Sequence, residues 1–350
     1  MRKAIQAGGL TIGGYAPVSV QSMTNTDTRD VEATVAQIRR LEIAGCELVR
    51  CAVFDEESAA AIRKIKDRIS IPLAADVHFD YRLAVAAVEN GADKLRINPG
   101  NIGAKERVKI VADCCRAHHV PIRVGVNAGS LEKTLKAEHK GDTVGAMVDS
   151  ALGHIRILED IGFGDLVLSL KCSDVPTTVS AYRQIAKMTE YPLHVGITET
   201  GSGEDALTKS AVGIGTLLME GIGDTVRVSL TDDPVKEVEA AKRILCAAGL
   251  RKNGPEVISC PTCGRTRVDI GKIAAYVKER LSGETGYIKI AVMGCAVNGP
   301  GEASDADIGI AFGQNNGVLF AKGNKIGSGP VQEITEKLID MAKKLLKTEE

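Results

Sequence analysis

Three cysteines in the C-terminal third of the chain are spaced like the ligands of a metal centre. Cys260 and Cys263 form a C-x₂-C pair, and Cys295 follows within the string GCAVNGPGE (294–302). A structural zinc would take a fourth cysteine or histidine, but the last histidine of the chain is His194. Three thiolates therefore favour a [4Fe–4S] cluster whose fourth iron takes another ligand; zinc and unligated core cysteines are the alternatives.

A carboxylate follows the third cysteine within reach of such a cluster. Glu302 lies seven residues beyond Cys295, across a turn rich in Gly and Pro that can fold it back. Iron holds an oxygen ligand less firmly than a thiolate. We therefore expect Glu302 to occupy the fourth iron in a position that a substrate oxygen can take over.

Basic residues stand in segments that otherwise have the apolar composition of buried strands. They are Arg50, Arg96, Arg123, Lys171 and Arg227. Buried cations must face carboxylates or an anionic ligand, because an unpaired buried charge is costly. Internal salt bridges to Asp76 and Glu199 are one interpretation. Five cations against two acids favour the other, a polyphosphate or diphosphate ligand, whose oxygens arginine binds bidentately.

Further polar residues are predicted at the carboxyl ends of the same strands. They are Ser22, Thr24, Asn25, Asp76, His78, Asn98, Asn127, Ser169, Thr198, Glu199 and Ser229. In parallel barrels the active site lies on that face. We expect Glu199, placed among apolar walls and cations, to be the main acid or base, with His78 second. For each of these residues singly, a structural hydrogen-bonding role is the alternative.

The elements that position these residues are strands alternating with amphipathic helices. Predicted strands are 18–21, 48–50, 73–76, 94–97, 122–126, 166–170, 193–197 and 226–230, and the clearest helices are 31–44, 56–68, 104–117 and 234–247. Eight such units predict an α/β fold with a (β/α)₈ TIM-type barrel; an open doubly wound sheet is the competitor. The repeat of GCELVR (45–50) as GADKLR (91–96) and, more weakly, as GDTVR (223–227) places Arg50, Arg96 and Arg227 in one interior layer.

The chain divides near the break at 252–255 into a barrel domain, 1–250, and a small α+β domain, 255–350. The first 16 residues are predicted to form a hairpin at the bottom of the barrel. The small domain is predicted to contain strands 256–259, 287–292, 307–312 and 317–321 with helices 270–281 and 331–346.

Composition excludes several classes of protein. The net charge is −1, aromatic residues make up 3% and tryptophan is absent, which disfavours nucleic-acid binding. Hydrophobic residues at 44% supply a globular core, and no apolar run is long enough to span a membrane. Nine cysteines without a recognisable signal peptide predict a reducing, cytoplasmic location.

Taken together, the motifs resemble a known family. The strings that carry the resemblance are QSMTNTDT (21–28), RINPGNIG (96–103), RVGVNAGSL (123–131), LSLKCSDV (168–175), SCPTCGRT (259–266) and GCAVNGPGE (294–302). They are similar to those of the bacterial 4-hydroxy-3-methylbut-2-enyl diphosphate synthases, over nearly the whole chain. The resemblance implies an iron–sulfur oxidoreductase of the methylerythritol phosphate route to isoprenoids. It would reduce 2-C-methyl-D-erythritol 2,4-cyclodiphosphate with two electrons, from flavodoxin or ferredoxin, to (E)-4-hydroxy-3-methylbut-2-enyl diphosphate and water.

The resemblance also implies roles for individual residues. The implied cluster ligands are Cys260, Cys263, Cys295 and Glu302. The residues implied to bind the diphosphate and its neighbourhood are Arg50, Arg96, Asn98, Arg123, Asn127, Lys171, Ser229 and His78. Thr198 and Glu199 match residues near the carbon skeleton. The chain departs from the family at Thr200, because the usual V-T-E-A-G is I-T-E-T-G (197–201) here.

The chain geometry predicts a homodimer. The last barrel helix, about 16 residues long, carries the chain roughly 24 Å away from the active face. The break of about eight residues that follows spans at most roughly 28 Å. The cluster domain therefore begins on the far side of its own barrel, and we expect it to cap a second subunit head to tail, as the family's members do.

Three other functions remain open. A non-redox barrel enzyme acting on a phosphorylated metabolite would carry one structural zinc in its tail. An electron carrier would use the barrel only as a scaffold, which the interior arginines disfavour. A nucleic-acid-binding module is disfavoured by the neutral charge and scarce aromatic residues.

Overall fold

The structure is a computed structural model that describes residues 2–252, 254–284, 286–295, 301, 306–314 and 316–348. The chain separates into two compact units, residues 1–250 and 251–350.

The first unit is built around a parallel barrel of eight strands. The strands are β3 (Ser19–Met23), β4 (Leu48–Ala52), β5 (Leu73–Asp76), β6 (Lys94–Ile97), β7 (Ile122–Asn127), β8 (Leu166–Lys171), β9 (His194–Val195) and β10 (Thr225–Val226). They pair in the order β8-β7-β6-β5-β4-β3-β10-β9. A parallel bridge between Leu168 and Leu193 closes the ring. The predicted barrel is confirmed, and the open sheet is excluded.

Helices surround the barrel, and most begin at an aspartate that directly follows a loop. The helices are α1 (Val31–Ala44), α2 (Glu56–Lys66), α3 (Tyr81–Glu89), α4 (Pro99–Ile102), α5 (Lys105–Ala117), α6 (Lys133–Glu138), α7 (Thr143–Glu159), α8 (Val175–Met188), α9 (Gly203–Met219) and α10 (Pro234–Ala247). The capping side chains are Asp30, Asp55, Asp80, Asp142, Asp174 and Asp233, each accepting a bond from an amide in the first turn. A cap at N-terminal amides fixes where each helix starts and therefore where each loop ends.

A hairpin precedes the barrel, as predicted. Strands β1 (Ile5–Ala7) and β2 (Leu10–Ile12) pair antiparallel. The residues before β1 reach the amino ends of barrel strands, because Lys3 donates its amide to the Glu190 carbonyl and Arg2 pairs with Asp224.

The second unit is a five-stranded mixed sheet with helices packed on it. Its elements are β11 (Glu256–Ser259), α11 (Ile270–Arg280), β12 (Lys289–Met293), β13 (Ile308–Phe312), β14 (Asn316–Ala321), β15 (Asn324–Pro330) and α12 (Val331–Thr348). The order is β11-β12-β13-β14-β15, parallel as far as β13 and antiparallel beyond it. The edge strand β15 was not predicted, because NKIGSGP lacks an apolar alternation.

Among the described residues, no helix is apolar over a length that would cross a lipid bilayer.

Candidate active site

The carboxyl ends of the barrel strands surround a cavity of about 150 Å³, which we call the cationic cavity. It is lined by Arg50, Asp76, His78, Arg96, Arg123, Asn127, Ser169, Lys171, Thr198, Arg227 and Ser229. Three arginines from alternate strands, Arg50, Arg96 and Arg227, therefore face one space. Most residues that the sequence assigned to an anion site meet here.

One buried carboxylate binds two of these arginines. Asp76 lies 3.5 Å from Arg50 Nε and 3.1 Å from Arg96 Nη1. Burial alone would raise the pKa of Asp76, but the positive charge of Arg50, a hydrogen bond with His78 and the charge of Arg96 outweigh it and lower that pKa well below its usual range. Burial lowers the pKa of Arg50 to about 10, against the attraction of Asp76. The lowered pKa of Asp76 favours the carboxylate that faces both guanidinium groups.

A second buried carboxylate was not predicted from the sequence. Glu237, on α10, accepts hydrogen bonds from Arg227, from the Ser22 hydroxyl and from the Leu230 amide. It lies 3.3 Å from Arg227 Nη2. The sequence feature that could have identified Glu237 is its position on the apolar face of an amphipathic helix, beside buried Val238.

Two other cations have neutral partners. Arg123 donates to the Ser169 hydroxyl at 3.1 Å, and Lys171 Nζ lies 3.3 Å from His194 Nε2. Burial, followed by the neighbouring positive charges, lowers the pKa of both Arg123 and Lys171. A lowered pKa in a cation means that the site disfavours its charge until an anion enters.

Glycines on the strands make room for these long side chains. A Cβ at Gly125 would lie 3.0 Å from Arg96 Nε. A Cβ at Gly196 would lie 3.2 Å from Lys171 Nζ and 2.5 Å from the Arg227 carbonyl oxygen. Any larger residue would displace the cations from the cavity.

Positive charge exceeds negative charge throughout this region. Beneath the cavity Lys94 is fully buried, and its Nζ has no hydrogen-bond partner among the described residues. Burial and the nearby charges of Arg123 and Arg50 lower its pKa well below the usual value. Of the six basic side chains here, Lys94, Arg96, Arg123 and Lys171 are buried, and Arg50 and Arg227 are partly buried; in the part of the chain that the structure describes, Asp76 and Glu237 are the two buried acids. An anion is the natural remaining partner.

A second cavity, the side cavity, adjoins the first and has a volume of about 270 Å³. It shares Asn127, Lys171 and Thr198 with the cationic cavity and adds Cys172 and Glu199, among others. Glu199 is exposed rather than enclosed by apolar walls, so that part of the expectation is wrong. The reason is its place on a loop beyond the strand, where its backbone has a φ of 54°.

Thr200 ties the Glu199 loop to the neighbouring strand end. The side chain is 4% exposed, and its hydroxyl donates to the Ser229 carbonyl at 2.5 Å. A left-handed backbone is unfavourable for a non-glycine residue and persists where surrounding contacts hold it. This hydrogen bond is one such contact.

Two other predicted residues differ in their placement. His78 lies at the mouth of the cationic cavity with 51% of its side chain exposed, and its Nε2 is 3.0 Å from Arg96 Nη1. Asn98 is buried and caps α4 through a bond from the Gly100 amide. Asn98 is absent from the described linings of both cavities.

Two of the three predicted thiol ligands follow adjacent parallel strands of the second unit. Strands β11 and β12 pair with Ser259 opposite Val292, which brings Cys260 and Cys295 to the same edge of the sheet. The Gly294 amide donates to Cys260 Sγ at 3.1 Å. A Cβ at Gly294 would lie 2.9 Å from Thr266 Cγ2, so glycine permits this approach.

The third thiol lies in the turn after Cys260. The Cys263 amide donates to Thr266 Oγ1, and the Thr266 amide donates back to the Cys263 carbonyl. A hydrogen bond from the Arg265 amide and a second from Thr266 lower the pKa of Cys263, which favours the thiolate. Glu302 lies outside the described residues.

The thiols of the second unit can act as metal ligands, but they do not form an assembled metal site. Within the residues that the structure describes, no three His, Cys, Asp or Glu side chains converge as the ligands of one ion. In a four-iron cluster each thiolate binds a different iron. Cys263, whose thiolate is favoured, and the amide donor to Cys260 Sγ are compatible with a ligand and an outer hydrogen bond of such a cluster.

The fold and these residues define a (β/α)₈-barrel protein with a cationic cavity and a second unit bearing clustered thiols. The GcpE TIM-barrel domain model matches residues 2–242, and the GcpE C-terminal domain model matches residues 256–344. The chain belongs to the GcpE family.

Curated relatives share most of this length. The chain is 54% identical over 349 residues to a "4-hydroxy-3-methylbut-2-en-1-yl diphosphate synthase (flavodoxin)" of Caldanaerobacter subterraneus subsp. tengcongensis, covering 100% of this chain and 98% of the relative. It is 56% identical over 335 residues to a protein of the same name from Dehalococcoides mccartyi, covering 96% of each. These relatives confirm the resemblance found in the motifs.

Two solved structures resemble the fold of this chain over about seven tenths of its length. The dihydropteroate synthase of Yersinia pestis superposes with a TM-score of 0.52 at 13% identity, covering 71% of this chain and 98% of that one. The enzyme of Stenotrophomonas maltophilia gives 0.51 at 16% identity, covering 71% and 99%. This likeness extends to the fold only.

Proposed function

We propose that this protein is an iron–sulfur oxidoreductase that converts 2-C-methyl-D-erythritol 2,4-cyclodiphosphate to (E)-4-hydroxy-3-methylbut-2-enyl diphosphate. The relatives' name states the product, and family membership extends over both units. The observation that carries the proposal is the excess of buried cations at the strand ends, because a diphosphate is the ligand that excess fits.

The cations divide the work of binding. Arg50, Arg96 and Arg227 are held in place by Asp76 and Glu237 and present guanidinium groups of fixed orientation. Arg123 and Lys171 have neutral partners, so a bound anion would be the group that compensates their charge. Asn127, Ser229 and His78 add polar groups at the mouth, and Asn98 would act indirectly through the α4 cap.

The second unit would hold the cluster through Cys260, Cys263 and Cys295, with Glu302 proposed as the fourth ligand. When bound, a [4Fe–4S] cluster supplies electrons one at a time and Lewis acidity at the iron without a thiolate. The reaction balances with two electrons and one proton: a C–O bond to phosphate breaks, the hydroxyl leaves as water, and a double bond forms. Glu199 and Thr198 line the side cavity, and we assign Glu199 the role of handing that proton to the leaving hydroxyl.

Electrons would come from flavodoxin, the donor in the relatives' name, with ferredoxin as a substitute. We place this work in the cytoplasm, because the structure joins no two of the nine cysteines in a disulfide bond, as a reducing compartment maintains.

We further propose that two chains act together head to tail. The last barrel helix, α10, has 14 residues and carries the chain away from the strand ends that form the cavity. At 1.5 Å per residue this is about 21 Å, and the short link to β11 follows. Each barrel would therefore work with the thiol-bearing unit of its partner.

The test is anaerobic turnover. Reconstituted protein with reduced flavodoxin should convert the cyclodiphosphate to the linear diphosphate, detected by phosphorus NMR and mass spectrometry. Arg123→Met should abolish binding, while Lys105→Met, an exposed lysine on α5, should leave turnover unchanged. Protein that carries its cluster and accepts electrons but leaves the cyclodiphosphate intact would refute the assignment.

A further inference from the structure

Two buried residues inside the barrel do not line the cationic cavity. His194 is completely buried on β9, and Lys94 lies beneath the cavity on β6. Both face inward. His194 stands two residues before Gly196, and Lys94 two residues before Arg96, and residues two apart in a strand point to the same side. Burying an imidazole among cations costs free energy that an apolar residue would not cost. Its presence therefore indicates a task that an apolar residue could not perform.

His194 forms one side of a built cradle for Lys171. Its Nε2 lies 3.3 Å from Lys171 Nζ, and the missing Cβ of Gly196 leaves the space that Nζ occupies. Tyr182 fixes the two strands relative to each other: its hydroxyl donates to the His194 carbonyl at 2.6 Å and accepts from the Leu170 amide at 3.0 Å. Tyr182 thus bridges β8 and β9, where the barrel has its fewest strand pairs.

The charges around His194 determine its protonation. Lys171 Nζ lies against its Nε2, and the positive charges of Lys171, Arg123, Lys94 and Arg50 all act on it. Burial and these charges lower its pKa well below the usual value. If Nε2 accepts from the ammonium group, a neutral ring carries its proton on Nδ1, which has no hydrogen-bond partner among the described residues.

We propose that His194 is a positioning residue that aims Lys171 into the cationic cavity as a neutral hydrogen-bond acceptor. A carboxylate at this place would hold Lys171 equally well but would neutralise it. With an imidazole, Lys171 stays oriented, and its charge is not neutralised by a carboxylate when a phosphate oxygen enters. The inference rests on the proposed diphosphate substrate. It identifies His194 as the residue that positions Lys171 for a phosphate oxygen of that substrate.

Two variants separate charge from shape. The side chains introduced by His194→Gln and His194→Glu have nearly the same size, and both can accept a hydrogen bond from Lys171. Only the second is anionic. Binding is measured by calorimetry on the anaerobic holoenzyme without an electron donor, with the cyclodiphosphate and, separately, inorganic pyrophosphate. His194→Gln should bind within about threefold of the wild type, and His194→Glu should bind about 10- to 100-fold more weakly.

A double-mutant cycle shows whether the effect passes through Lys171. In a Lys171→Met background the difference between the Gln and Glu variants should fall below about threefold. Equal losses in both His194 variants, or an undiminished difference without Lys171, would overturn the proposal. Wild-type protein that binds pyrophosphate but not the cyclodiphosphate would instead refute the substrate assignment.

A spectroscopic test reads the protonation of the ring directly in the wild-type protein. Nitrogen NMR of imidazole-labelled wild-type protein, with His194→Gln used for assignment, should show a neutral ring protonated at Nδ1 between pH 6 and 8. A doubly protonated ring, or one protonated at Nε2, would contradict the role given to His194.

Discussion

Removing the charge of Asp76 tests whether the cationic cavity is assembled by that carboxylate. Asp76→Asn keeps the shape of the side chain, which is 5% exposed, but leaves Arg50 and Arg96 without their counter-charge. Loss of one partner from a buried ion pair costs about 3–5 kcal/mol. For a domain of this size each kcal/mol lowers the melting temperature by about 2–4 °C, so we expect a fall of roughly 10 °C.

The pH dependence follows from the lowered pKa of Asp76. A carboxyl whose folded pKa is depressed contributes stability that is complete above its unfolded pKa of about 3.9 and is lost as the pH falls through the folded pKa. The difference in unfolding free energy between wild type and Asp76→Asn should therefore be constant from pH 5 to 8. It should shrink below about pH 4.

The assay is urea unfolding with and without pyrophosphate. A ligand present at 100 times its dissociation constant adds about 2.7 kcal/mol to the unfolding free energy, and pyrophosphate should stabilise the variant as much as the wild type or more.

The matched control is Asp113→Asn. It also removes an aspartate between two basic residues, Lys109 and Arg116, but one with 42% of its side chain exposed. The control should change stability by less than about 1 kcal/mol. Equal melting temperatures for the two variants would refute the reasoning.

Three further predictions concern the site. Thr200→Val should lower kcat severalfold, because it releases the Glu199 loop from Ser229, and hydrogen exchange in that loop should become faster. Thr200→Ser keeps the hydroxyl and should behave as wild type. Equal exchange rates in both variants would contradict a role for this hydrogen bond in holding the loop. Glu199→Gln should lower kcat at least about 100-fold with little change in substrate affinity, and equal losses in both would count against proton transfer. Mixing Cys263→Ser with Arg96→Ala chains should restore activity if sites are shared, and no recovery under subunit exchange would place each site within one chain.

The strands and their order were predictable because the barrel repeats one unit. Apolar strands ending in polar residues recur, and aspartates cap the helices that follow. The hairpin, the barrel and the family were all confirmed. The edge strand β15 escaped because its sequence carries turn residues rather than an apolar pattern.

The internal charge partners were less predictable. Asp76 could be identified as a partner for the arginines, because it ends a strand beside theirs. Glu237 pairs with Arg227 from a surrounding helix, and only three-dimensional packing brings the two together. Glu199 was expected in an enclosed place, but its loop turns with a positive φ and leaves it exposed. Side-chain direction in loops depends on such local backbone geometry, which the pattern of residue types does not encode.

The most direct measurement is the iron and acid-labile sulfide content of protein purified without oxygen, together with its visible spectrum. The account predicts a brown protein with about four irons and four sulfides per chain, and loss of that colour in Cys263→Ser. A colourless, folded and catalytically competent protein that carries one zinc and no sulfide would contradict it.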